Sequence, residues 1–238
     1  MSKAILKLDN IEVKYGDFIA VESVSLEVYD GSIVGLIGTN GAGKTSLMNA
    51  VSGLTPVTSG KIYVADEDVT GLSPEKMVER GISLVPQGGH CFNRMTVQDN
   101  LLVGSHSRKS RPFRKDNLDK VYDLFPMLAE KRDVLAGSLS GGQRQMVAIG
   151  RALMSEPRIL LFDELSLGLA PVVVKDIYAT IARINKEQGT TVFLIEQDTK
   201  RVLAISDYAY IMLKGKVALE GDASELTEEE VKKAYFGI

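Results

Sequence analysis

Residues 38–45 read Gly-Thr-Asn-Gly-Ala-Gly-Lys-Thr, and what lies on either side decides what such a run can become. Ser32 to Ile37, just before it, is almost wholly apolar, as suits a strand buried on both faces. From Lys44 the order Thr45-Ser46-Leu47-Met48-Asn49-Ala50-Val51 suits a helix that Gly53 can end. Strand, glycine turn and helix together form an anion nest. The glycines let the backbone close tightly with its N–H groups turned inward, and the helix adds the positive end of its dipole. Lys44 is then placed to reach the β- and γ-phosphates, and the Thr45 hydroxyl to bind Mg²⁺. The expectation is binding of a nucleoside triphosphate through Gly38, Thr39, Asn40, Gly41, Ala42, Gly43, Lys44, Thr45 and Ser46.

Two further motifs follow. Ile159 to Phe162 is the most apolar run in the chain, reads as a central parallel strand, and ends in Asp163-Glu164. Carboxylates at that end of a strand suit metal and water chemistry: Asp163 to hold Mg²⁺ through its water shell, Glu164 to orient or deprotonate the attacking water. Residues 139–143 read Leu-Ser-Gly-Gly-Gln, with Ser140-Gly141-Gly142 opening a long helical pattern and so making a second helix end suited to anions.

The rest of the chain sorts around these motifs. Ala4–Tyr15 and Val24–Val28 alternate as an antiparallel pair that Lys61–Ala65 joins. Ser73-Pro74 opens a helix that Gly81 stops. Ile82–Pro86, Arg158–Asp163, Thr191–Glu196 and Tyr208–Leu213 read as strands of a mostly parallel sheet, and Lys214-Gly215-Lys216 turns the last into a hairpin with Val217–Glu220. Between Gln87 and Pro157 the spacing is helical, over Thr96–Val103, Lys115–Phe125 and Ser140–Ser155. Thr227-Glu228-Glu229-Glu230 is a capping box for a terminal helix.

A phosphate loop, Leu139-Ser140-Gly141-Gly142-Gln143 and an apolar run ending Asp163-Glu164, in this order, resemble the ATP-binding cassette family over essentially the full chain. The resemblance implies an α/β fold: a P-loop NTPase (RecA-like) core with an antiparallel β subdomain over residues 1–86 and 158–238, and an inserted helical subdomain over 87–157 carrying the signature. It implies ATP and Mg²⁺ as ligands. Tyr15 resembles the aromatic residue that stacks on adenine, and Gln87 the glutamine that touches Mg²⁺ and couples to a membrane partner. Ser140, Gly141, Gly142 and Gln143 would cap the γ-phosphate held by a second cassette. Ala148–Met154, Ser166–Pro171, Ile195-Glu196-Gln197 and Ala234-Tyr235-Phe236-Gly237 are worded like the LivF-type subunit of branched-chain amino-acid importers. That likeness implies a LivG-type partner cassette or a second copy of the chain, two transmembrane permease subunits and, indirectly, an extracytoplasmic solute-binding protein. Relatives of the same group carry urea or amides, or export lipid or lipopolysaccharide.

Three positions depart from the general cassette pattern. Leu165 replaces a proline, Ala170 stands where many cassettes have an aspartate, and Gln197 follows Glu196 where most carry a histidine that contacts the γ-phosphate. A glutamine donates a hydrogen bond but carries no proton at neutral pH. Gln197, paired with Glu164 as the catalytic set, therefore implies an asymmetric machine whose partner keeps its histidine; a hydrolysis-impaired regulatory subunit is the competing reading.

Composition sets the remaining bounds. A net charge of −3 gives no general basic footprint for nucleic acid. The single cysteine, Cys91, precludes an intrachain disulfide and reads as a packed thiol in a reducing compartment. The start passes straight into an alternating strand and not into a signal peptide, and no run of 18 uninterrupted apolar residues occurs, so nothing is expected to span a membrane. The cassette resemblance implies a peripheral place on the cytoplasmic face of a bacterial or archaeal inner membrane. Arg108–Lys115 is a basic stretch with one aromatic, readable as a solvated loop or as a contact with anionic headgroups. His90 and His106 lack metal-ligand spacing.

Overall fold

A computed structural model describes residues 3–236, apart from the Phe236 side chain; Gly237 of the terminal motif lies outside the described residues. In chain order the elements are β1 (Ala4–Tyr15), β2 (Phe18–Tyr29), β3 (Ile33–Gly38), α1 (Lys44–Val51), β4 (Ser59–Val64), β5 (Glu67–Asp68), α2 (Pro74–Glu79) and β6 (Ile82–Val85). Then come α3 (Val97–Val103), α4 (Arg114–Leu124), α5 (Pro126–Glu130), α6 (Gly141–Leu153), β7 (Ile159–Asp163) and α7 (Pro171–Gln188). The chain closes with β8 (Thr191–Glu196), α8 (Thr199–Ile205), β9 (Tyr208–Leu213), β10 (Lys216–Asp222) and α9 (Glu228–Phe236).

The strands form two sheets. The first, in the order β2-β1-β4-β5, is antiparallel throughout. The second, β10-β9-β3-β8-β7-β6, is parallel except for β10, whose hairpin turns at Lys214-Gly215. β3 lies between β9 and β8, and every one of its residues is buried. Because strand side chains alternate, a doubly covered strand feeds two cores. Val34 and Leu36 join one hydrophobic cluster with α1 and the antiparallel sheet, while Ile33 and Ile37 join a second with the helices. β7 divides the same way, Ile159 and Leu161 to the first cluster, Leu160 and Phe162 to the second.

Between β6 and β7 the chain is helical, and its ends are fixed by side chains. The Thr96 hydroxyl accepts from Asp99 N at 3.0 Å to cap α3, and buried Asn100 ties the preceding segment down through Phe92 N and Phe92 O. Ser140 and Gln143 close a reciprocal capping box on α6, at 3.3 and 3.1 Å. Thr227 and Glu230 do the same for α9.

Several elements exceed the sequence expectation. β2 begins at Phe18 rather than Val24, and α5, α7 and α8 appear where motif reading predicts no element. α7 opens Pro-Val-Val-Val, a β-branched run that masks the helical stripe Val174, Ile177, Tyr178, Ile181, Ile184 behind it.

Gly35 in β3 shows how tightly α8 sits on the sheet. A β-carbon at this position would overlap the Val202 side chain and lie 3.1 Å from Ser206 Oγ. Gly35→Ala is expected to lift α8 and destabilise the fold by about 1–3 kcal/mol, read as a lower denaturant midpoint at unchanged slope.

Candidate active site

The phosphate loop leaves β3 at Gly38 and enters α1 at Lys44. Gly41 and Gly43 have φ of 78° and 100°, and a β-carbon at Gly43 would overlap Ala20 O, so glycine is required there on both counts. The first turn of α1 carries no acidic residue, leaving its N–H groups facing the loop unopposed. Gly215 N donates to Ala42 O at 2.9 Å and so anchors the loop to the turn after β9. Lys44 Nζ folds back under this arch, donating to Gly38 O at 2.9 Å and Thr39 O at 3.1 Å.

β7 runs parallel to β3 on the far side of β8 and brings the acidic residues to the same end of the sheet. Asp163 Oδ1 accepts from Thr45 Oγ1 at 3.2 Å. Glu164 has φ of 45°, an uncommon left-handed conformation for such a residue, and its N–H donates to Ile195 O at 3.1 Å. Its carboxylate is gripped from three sides. Gln197 Nε2 lies 2.9 Å from Oε1, Gln87 Nε2 lies 3.1 Å from Oε2, and Lys44 Nζ lies 3.4 Å from Oε1. Burial pushes the Asp163 carboxyl above its usual range. The Thr45 hydrogen bond opposes that shift, the charges of Glu164 and Glu196 add to it, and Lys44 opposes it.

These groups border a cleft of about 380 Å³ lined by Asn40, Gly41, Ala42, Gly43, Lys44, Thr45, Ser46, Gln87, Glu164 and Gln197. Phe18, Ala20 and Leu167 complete the wall and were not singled out from the sequence. Phe18 follows the Gly16-Asp17 turn directly and leaves its ring 65% exposed, while Leu167 entered the sequence reading only within the subfamily-like wording of Ser166–Pro171. Tyr15 pairs with Phe18 across that turn but lies outside the cleft lining. Ser140, Gly141, Gly142 and Gln143 are also elsewhere. A β-carbon at Gly142 would overlap the Val173 side chain at the start of α7, and one at Gly141 would lie 3.3 Å from Leu169 Cδ2 just before it.

The segment after Gln87 is clamped onto α6. Cys91 Sγ donates to Arg144 O at 3.3 Å, Arg151 donates to His90 O at 2.5 Å, and the Arg151 guanidinium lies 5.4 Å from the Phe92 ring centroid. Burial pushes the half-buried Cys91 thiol up, against the opposing pull of Arg151 and Arg144, which suits packing rather than nucleophilic chemistry. No group of three or more His, Cys, Asp or Glu placed to hold a metal occurs among the described residues.

The ABC transporter family model matches residues 21–166, and the chain belongs to that family. It is 41% identical to the high-affinity branched-chain amino acid transport ATP-binding protein BraG of Pseudomonas aeruginosa, over 98% of this chain and 100% of that protein. It is 35% identical to the lipopolysaccharide export system ATP-binding protein LptB of Escherichia coli K12, over 98% of each. Among solved structures it is similar to the ADP conformation of an ATP-binding cassette of an ABC transporter, with a TM-score of 0.83 and 32% identity, covering 98% of this chain and 94% of that one. The chain is thus an ATP-binding, ATP-hydrolysing cassette with a P-loop NTPase fold. No helix among the described residues is long and apolar enough to cross a membrane.

Proposed function

We propose that this chain powers uptake of branched-chain or related hydrophobic amino acids through separate transmembrane subunits. The observation that carries the chemistry is the Glu164 carboxylate, buried beside the phosphate loop between Lys44, Gln87 and Gln197. The likeness to BraG, stronger than that to LptB, supports import of amino acids over export of lipopolysaccharide. So does Gln197 in place of a histidine.

Each residue then has a task. The loop N–H groups and Lys44 hold the β- and γ-phosphates, and the base sits toward Tyr15 and Phe18 at the hairpin turn. Thr45 and Asp163 offer two hard oxygens within 3.2 Å of each other, a pair that suits Mg²⁺, which keeps water and phosphate for the rest of its shell. When bound, that ion neutralises charge on the phosphate oxygens. Glu164 orients the attacking water and accepts its proton, and Gln197 and Gln87 hold the carboxylate in place.

A second cassette completes the site. Ser140 to Gln143 lie outside the chain's own cleft, so their helix end serves nucleotide held by a partner, either a LivG-type cassette or another copy. Residues 1–86 and 158–238 act as the nucleotide-binding core and 87–157 as the lever. A groove of about 450 Å³ lined by Val78, Leu84, Cys91, Phe92, Val103 and Arg151 adjoins the clamped segment after Gln87. It receives one of the two transmembrane permease subunits, which in turn meet a solute-binding protein outside. The chain then sits on the cytoplasmic face of a bacterial or archaeal inner membrane. Arg108, Lys109, Arg111, Arg114 and Lys115 are exposed, and none pairs with a carboxylate among the described residues, which suits anionic headgroups.

The test is ATP turnover by the purified chain alone and mixed with its candidate partner cassette, alongside cellular leucine uptake after deletion of the gene. Turnover that rises sharply on mixing, with uptake lost on deletion, is the expected result. Full turnover alone would instead make the homodimer competent, and uptake untouched by deletion would overturn the amino-acid assignment.

A further inference from the structure

Glu196 ends β8 only 2% exposed. A buried carboxylate is costly unless both oxygens are paired, and here one partner residue pairs both. Oε1 accepts the backbone N–H of Ser166 at 3.0 Å, and Oε2 accepts the Ser166 hydroxyl at 2.9 Å. Ser166 is two residues beyond Glu164, and Gln197 is the residue after Glu196. Since Gln197 grips Glu164 at 2.9 Å, the contacts close a ring: Glu164 to Gln197, along the chain to Glu196, across to Ser166, and back to Glu164. Tyr178 of α7 is buried against the same carboxylate; burial first, and then Glu196, raise its hydroxyl above the ordinary range.

The ring has a reason to exist. Glu164 sits in a left-handed conformation that a non-glycine residue leaves readily unless its neighbours over-determine it. Gln197 is a neutral donor and holds Glu164 by a single hydrogen bond. Glu196 accepts two hydrogen bonds from Ser166 and fixes the loop on the far side of Glu164.

We propose that Glu196 and Ser166 form a positioning staple that sets the Glu164 carboxylate relative to Gln197, and so sets the rate of hydrolysis without contacting nucleotide. It rests on the reading of Glu164 as the water-orienting carboxylate.

The experiment compares kcat and KM for ATP, with thermal midpoints, in Ser166→Ala, Ser166→Thr, Glu196→Gln and Glu164→Gln. It uses the purified chain, joined by the partner cassette if the chain is silent alone. Ser166→Ala is expected to lower kcat about tenfold with KM within about twofold, because the lost bond orients a group that acts on the reaction rather than on binding. Ser166→Thr keeps the hydroxyl and should restore most of the rate. Glu196→Gln, which keeps a single acceptor, should fall between wild type and Ser166→Ala, and it carries the test if Ser166→Ala fails to fold. Wild-type kcat in Ser166→Ala, or a loss that threonine does not rescue, overturns the staple. If Glu164→Gln is silent while Ser166→Ala turns over normally, the staple alone fails. If Glu164→Gln turns over normally, the role of Glu164 fails, and the staple with it.

Discussion

Glu164→Gln is expected to lower ATP turnover by about 10²–10⁴-fold while leaving ATP binding within a few-fold of wild type. The amide fills the same space: its oxygen still accepts from one of Gln87 and Gln197, and the other can turn its own amide oxygen to the new N–H, so the cleft keeps its shape. What goes is the negative charge that takes the water's proton and pairs with Lys44 at 3.4 Å. Phosphate release and equilibrium nucleotide binding, measured on one preparation, separate the two effects. Turnover that persists in the amide variant would assign proton acceptance to another group. Loss of binding along with turnover would show that the carboxylate mainly supports the loop.

Lys44→Ala should fail at the earlier step. The ammonium is nearly fully buried and serves two loop carbonyls and Glu164 together. If Lys44 holds the phosphates as proposed, removing it takes away that contact, and ATP affinity is expected to drop by about 100-fold or more, the scale of losing a charge-assisted bond. It also strands Glu164 without its cationic partner, at a cost on the order of 3 kcal/mol for a broken buried pair. The two variants therefore separate cleanly: Glu164→Gln binds and does not turn over, whereas Lys44→Ala neither binds nor keeps its denaturation midpoint. Isothermal titration with ATP and urea unfolding read the two consequences.

Legibility in the sequence followed how local each signal was. The bounds of β1, β8 and β9 could be read to the residue, because alternation or a wholly apolar run is a property of adjacent positions. The phosphate loop was equally plain, since its glycines and its lysine are contiguous. α7 was hidden because its helical stripe starts within a run of three valines, and α8 because seven residues hold too few turns for a pattern. At the site, Glu164 was marked by its strand end, and Gln197 by standing where most cassettes carry a histidine. Ser166 and Glu196, in contrast, appeared only as wording shared with a subfamily. Their pairing links positions 30 residues apart and depends on the parallel register of β7 with β8, which no window of sequence displays. Phe18 became visible only when the hairpin set it beside the loop.

The second hydrophobic cluster has a mechanical consequence. It runs unbroken from Val97 and Leu101 of α3, through Val147 and Ile149 of α6, to Leu160 and Phe162 of β7. Close-packed interiors are stiff and transmit strain instead of absorbing it. On the proposed reading of 87–157 as a lever, a push delivered at α3 would reach the Ser140 end of α6 as a tilt of one solid plate, with little lost to bending on the way. The strand that leads to Glu164 packs into the same plate, so lever and load would share a single casting.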